Sequence, residues 1–175
     1  MKLTCIQNYT QLANFIAELN RQKQYHIGYC GENVQEIEQT LRTDFSCEAF
    51  ILAINEQEIV GAIGLDLDEI GNGAEVWGPF IKTNEGTEQI LEVMWQELLK
   101  YHTDIKHFSF FINEENVIGQ YFMQMIGANC TGNHQILHLK KENFQVDSLM
   151  NSTLFNNHYF KAFAELHHKV FPNTY

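Results

Sequence analysis

The residues best placed to do chemistry lie between Ala74 and Leu99, in AEVWGPFIKTNEGTEQILEVMWQELL. A short apolar run meets Gly78-Pro79, crosses a polar turn holding Gly86, and enters a segment with helical spacing. First-turn N–H groups have no partner inside a helix, and the helix dipole adds partial positive charge there. A strand that reaches a helix through a glycine-containing loop therefore builds an anion site, of the kind that holds phosphate. Pro79 has no N–H to give to a ladder, so its strand must bulge or part there. A parted strand leaves backbone carbonyl and N–H groups for a ligand amide. Other constellations carry less. His134 and His138 fall on an expected strand, where a spacing of four separates them by about 13 Å, too far for one metal ion. His167 and His168 point in different directions on an expected helix. No Ser-His-Asp, Walker-type or Rossmann fingerprint occurs. Cys5, Cys30, Cys47 and Cys130 form no CxxC pair and are expected as reduced, mostly buried thiols.

The elements that position this stretch follow from hydrophobic period and punctuation. Lys2–Ile6 is expected as a first strand. Thr10 caps a helix over Gln11–Arg21 with Leu12, Phe15, Ile16 and Leu19 as its stripe. Asn33 followed by Glu36 opens a second helix carrying Val34, Ile37, Leu41 and Phe45. The period then drops to two. Ala49–Ile54 and Ile59–Leu67 read as an antiparallel hairpin about NEQE, with Ile59, Ile63 and Leu65 on one face. Ala74–Ile81 is the next strand, and Thr87–Tyr101 the next helix. Lys106–Ile112 is a buried-type strand, and a helix from Asn116 stops at Gly127. His134–Lys140 is a last strand. Strands without an intervening helix must be antiparallel neighbours, and the later β-α-β units imply parallel pairing. The fold class is α/β: a mixed, mostly antiparallel sheet with helices on both faces. Residues 1–143 form the domain. Residues 144–175 are a linker and an amphipathic helix over Leu154–Val170, with Phe155, Tyr159, Phe163, Leu166 and Val170 as its stripe.

Bulk composition limits the partners. The 175 residues suffice for one domain with a substantial core. Eleven basic against 22 acidic residues give a net charge of -11, without a Lys/Arg cluster, which argues against nucleic acid. A cationic substrate suits this balance better. No run approaches the roughly 18 to 20 apolar residues that span a bilayer. The N-terminus lacks a signal-peptide core, so a cytoplasmic location is expected.

The order of elements from Lys2 to about Lys141 resembles the GCN5-related N-acetyltransferase family. The residues that carry the likeness are the hairpin AFILAINEQEIVGAIGLDLD, the strand AEVWGPFI with its loop and helix, and NVIGQYFMQMIGA. The resemblance implies two parallel strands that splay apart, with acetyl-CoA lying in the cleft as acyl donor. Phe80 and Ile81 would pair with the pantetheine arm. The loop from Lys82 through Gly86 and Thr87 to Glu88 would hold the pyrophosphate, with Lys82 adding charge. Asn116 would fix the late helix or the cofactor arm. Glu75, with Asp66 and Asp68 nearby in sequence order, would supply a general base or bind an ammonium. The implied reaction is acetyl transfer to a primary amine of a small molecule or peptide.

Two departures from the family pattern bear on that reaction. Where the phosphate loop usually reads Gln/Arg-x-x-Gly-x-Gly/Ala, this chain has Thr83, Gly86 and Glu88. A carboxylate about 5 Å from a phosphate, at an effective dielectric near 20, repels it by about 3 kcal/mol, or roughly a hundredfold in affinity. Met123 stands at the position of the family tyrosine that protonates the leaving thiolate. Tyr121 is the substitute, but it lies about 200° around the helix from Met123. These departures support a rival expectation, a catalytically degenerate module of the same fold. FAELHHKVFPNTY resembles the opening of a second repeat, so the last helix would pair with a tandem domain or a second copy.

Overall fold

The computed structural model describes residues 1–68, 72–82, 86–135 and 154–171. It forms two compact units, Met1–Cys130 and Thr131–Tyr175. Unit one holds a five-stranded sheet in the order β1-β2-β3-β4-β5. The strands are β1 (Lys2–Thr4), β2 (Phe50–Asn55), β3 (Glu58–Leu67), β4 (Gly73–Ile81) and β5 (His107–Ser109). The first four pair antiparallel, and β4–β5 is parallel. This is the mixed sheet expected from the sequence.

Helices α1 (Tyr9–Asn20) and α2 (Val34–Asp44) supply one apolar layer, and α3 (Thr87–Tyr101) and α4 (Val117–Met125) supply the other. Side chains alternate across β2. Phe50 and Leu52 join the α1–α2 core, while Ile51 and Ala53 join the α3–α4 core. Asn8, rather than Thr10, caps α1, since its side chain accepts from the Gln11 N–H at 3.0 Å. Thr10 instead donates to Glu38 at 2.7 Å. Asn33 caps α2 as expected, accepting from Gln35 and Glu36. Gly127 takes positive φ (71°) just past α4, and the Ala128 N–H closes back on Met123.

Two irregularities decide which side chains face which layer. Ile54 pairs with Ile59, but Ala53 pairs with Gly61, leaving Val60 as an extra residue. The extra residue turns Ile59 into the α1–α2 core, while Ile63 and Leu65 face the other layer. The single-face expectation for these three fails because a bulge breaks the period of two. In β4, Trp77 pairs with Gly64 and Phe80 with Ala62, so Gly78-Pro79 together oppose Ile63. The proline bulge thus puts Trp77 and Phe80, three apart, on one face. Gly78 has φ of 117°, and a Cβ there would meet the Ala62 carbonyl at 2.9 Å.

Asn20, at the end of α1, is fully buried. Its amide donates to the Cys30 and Gly31 carbonyls at 2.9 and 3.0 Å, and its carbonyl accepts from Ile27 N–H at 2.7 Å. One side chain therefore folds the whole 27–31 loop against α1. Of the cysteines, only Cys30 is buried; Cys5 is half-buried and Cys47 and Cys130 are exposed. The expectation of mostly buried thiols fails because Cys47 and Cys130 fall in connections, not on core faces. Burial pushes the Cys30 thiol up to about 12, which makes it inert.

In unit two, the expected tail helix is realised as α5 (Phe160–Val170), preceded by a 3-10 turn over Asn157–Tyr159. Phe155 stacks edge-on against Phe163, with ring centroids 5.5 Å apart. Most of the expected strand His134–Lys140, with His138, lies outside the described residues, as do Thr83 and the linker to Thr153. No described helix is long and apolar enough to cross a membrane.

Candidate functional site

Strands β4 and β5 stay paired for only three residues, Gly73–His107, Ala74–Phe108 and Glu75–Ser109. Beyond Ser109 the backbone leaves β4. Gly28 N–H bonds the Phe111 carbonyl at 2.6 Å, and Ile27 bridges Ile112. The splay therefore has a cause on both sides. Gly78-Pro79 put a bulge into β4, and the 27–28 segment, held by Asn20, pairs with the other strand in its place. From Val76 to Ile81, β4 keeps β3 on one side and has no described strand of the sheet on the other.

A cavity of about 470 Å³ lies between the first turns of α3 and α4. Gly86, Thr87, Glu88 and Gln89 line it from α3, and Val117, Ile118 and Tyr121 from α4. Asparagine side chains cap α1, α2 and α4. Gly86 heads α3 at φ 69° and brings no side chain to its first turn. Positive φ favours glycine there. Of the residues the sequence singled out, Gly86, Thr87, Glu88 and Tyr121 come together at this cavity.

Glu88 and Tyr121 face each other across it. Both side chains line the cavity, close enough for the Glu88 charge to act on the Tyr121 hydroxyl. Partial burial, then the Glu88 and Glu92 charges, raise the Tyr121 hydroxyl above its ordinary value. Met123 is turned the other way and packs against the α3–α4 core. The helical geometry that separates these two side chains thus brings tyrosine, not methionine, to the cavity.

The remaining candidates sit elsewhere. Phe80 and Ile81 are buried and pair with Ala62 and Gly61, leaving their other edge toward the splay. Lys82 is exposed and bound to Glu18 of α1 at 2.8 Å, away from the cavity lining. An exposed pair of this kind contributes little and exchanges readily. Asn116 is fully buried. It caps α4 through the Gly119 N–H at 2.8 Å and donates to the His26 carbonyl at 3.2 Å. Its place is in the architecture of α4.

Glu75 is the last β4 residue paired with β5, so it stands where the strands part. Asp66 is its cross-strand partner on β3. Partial burial, then the Asp66 and Asp68 charges, raise the Glu75 carboxyl above its ordinary range. Asp66 is raised too, by burial and then by Asp44 and Asp68. Tyr29, which the sequence did not single out, joins this group. Burial followed by the Glu75 charge raises its hydroxyl above its ordinary value. No spacing in the sequence links Tyr29 to Glu75; the Asn20-pinned loop does.

No protein-family model and no curated protein matches this sequence. Solved structures do match its architecture. A predicted acetyltransferase from Clostridium acetobutylicum, solved with acetyl-CoA, is 9% identical with a TM-score of 0.55, covering 78% of this chain and 96% of its own. An aminoglycoside N-acetyltransferase, AAC(6')-Iy, in complex with CoA is 12% identical with a TM-score of 0.52, covering 80% and 95%. The same enzyme with a bisubstrate analogue, CoA-S-monomethyl-acetylneamine, gives 13%, 0.51, 80% and 99%. At such identities the likeness is one of architecture, and the fold of this chain is that of the GCN5-related N-acetyltransferases.

Proposed function

We propose that this protein transfers an acetyl group from acetyl-CoA to a primary amine. The observation that carries the reading is the parting of β4 from β5 at Glu75–Ser109, with a cavity at the glycine-headed end of α3. Glu88 apart, the residues present fit the donor. The first turn of α3 suits the pyrophosphate, and Gly86 leaves room for its approach. The open edge of β4 from Val76 to Ile81 suits the amides of the pantetheine arm, as an added strand. Complexes with acetyl-CoA and CoA among its structural neighbours support the same donor.

In this reading the acceptor enters at the other end of the splay. Glu75, Asp66 and Asp68 draw a cationic amine there. An ammonium has no lone pair, so a base must remove its proton before attack. Glu75, with its raised carboxyl, is that base. The amine then attacks the thioester carbonyl, and a β4 N–H at Phe80 or Ile81 steadies the oxyanion. The nitrogen gives up its remaining proton to water, and the CoA thiolate leaves and is protonated from water, with Tyr121 lining the pyrophosphate end of the cleft. The protein acts in the cytoplasm on a free or peptide amine.

The Glu88–Tyr121 contact favours a second reading, a degenerate module whose anion site is taken by its own carboxylate. Calorimetric titration with acetyl-CoA separates the two. Saturable binding supports the enzyme, and an unbound protein at millimolar CoA overturns it.

A further inference from the structure

We propose that Cys5 and Cys47 are a reversible thiol–disulfide pair that staples the end of β1 to the turn before β2. The inference is independent of the cofactor site. Cys5 directly follows β1, and Cys47 opens the 3-10 turn Cys47–Ala49. The Ile6 N–H donates to the Cys47 carbonyl at 3.1 Å. One peptide unit and one hydrogen bond therefore separate the two residues. Peptide geometry then sets their Cα atoms roughly 5–6.5 Å apart, within the span that a disulfide bridges.

The surroundings assign the two thiols different parts. Cys47 is exposed and is the entry point for an oxidant. Cys5 is half-buried and lies near Tyr101, the last residue of α3. Burial, the neighbouring Cys47, and Glu48 and Glu97 keep Cys5 protonated, so its attack is the slower step. With glutathione disulfide as oxidant, the Cys47 thiolate attacks one sulfur, breaks the S–S bond and releases one glutathione thiolate. Cys5 then gives its proton to solvent and attacks the Cys47 sulfur, expelling the second glutathione. Two protein thiols are oxidised and one glutathione disulfide is reduced to two glutathiones. The closed loop contains both α1 and α2, so the staple restricts the unfolded chain over that whole layer.

The test equilibrates the full chain in glutathione buffers from reduced to oxidised. Thiols are trapped with N-ethylmaleimide, and peptides are mapped without reduction. The expected result is a Cys5–Cys47 cross-link that dithiothreitol reverses, with a melting temperature raised by roughly 5–10 °C. Cys5→Ser should leave Cys47 as a persistent glutathione adduct. In the wild-type protein, a glutathione adduct on Cys47 with Cys5 alkylated overturns the pairing. So does a Cys47–Cys130 link, or a Cys5–Cys47 link that leaves the melting temperature unchanged.

Discussion

Glu88 sits at the first turn of α3 and shares with Tyr121 the cavity where the proposed function puts a pyrophosphate. Removing that charge should tighten acetyl-CoA binding. Glu88→Gln is expected to lower Kd by roughly tenfold to a hundredfold, read by calorimetry. Tyr121→Phe made on top of Glu88→Gln should change Kd by less than about twofold, since the hydroxyl's partner has lost its charge. Glu75 offers a separate test. As the proposed base, its change to Gln should lower kcat by roughly 10²–10⁴-fold with the fold intact. Its folded-state pKa lies above the unfolded value, so the ionised form opposes folding. The stability this group retains is complete below the ordinary carboxylate range and is lost as pH rises through the raised folded value. Glu75→Gln should therefore be as stable as wild type in acid and more stable at neutral pH. A denaturation series over pH 3 to 8, roughly the span of that window, checks the sign.

At the scale of elements, the splay depends on groups far from the cavity in sequence. Asn20 satisfies Ile27, Cys30 and Gly31, and that loop in turn holds Phe111 and Ile112 away from β4. Asn20→Ala strands a buried N–H and buried carbonyls, so it should destabilise by about 2–4 kcal/mol in urea unfolding. It should also weaken acetyl-CoA binding, since the parted strand loses its anchor. Gly78→Ala forces a Cβ to 2.9 Å from the Ala62 carbonyl at positive φ, so the bulge must shift. Most element boundaries are legible from pattern. Thr87–Tyr101 is found as expected, because its apolar period and the glycine before it agree. The cap of α1 is not legible in the same way. Asn8 and Thr10 are both competent oxygens, and only the helix's hydrogen bonds choose between them.

Over the whole molecule, the described residues divide after Cys130, and α5 belongs to the second unit. Unit one contains both apolar cores and every residue of the candidate site. A protein truncated after Asn143 should thus keep a cooperative melt and bind acetyl-CoA within about twofold of the full-length form. Loss of the melt would show that the tail completes the core. Local pattern is enough to establish the sheet's mixed character, the order of the helices and the glycine-headed α3. These follow from hydrophobic period, turn residues and proline's missing N–H, all of which act between near neighbours. The facing of side chains is settled by packing at long range. A single extra residue, Val60, moves Ile59 to the other layer, and a half-turn of α4 brings Tyr121 rather than Met123 to the cavity. Tyr29 with Glu75, and Cys5 with Cys47, are likewise brought together by contacts that no local pattern encodes. Glu88 belongs to both kinds, since its charge is written in the sequence but its partner is chosen by the fold.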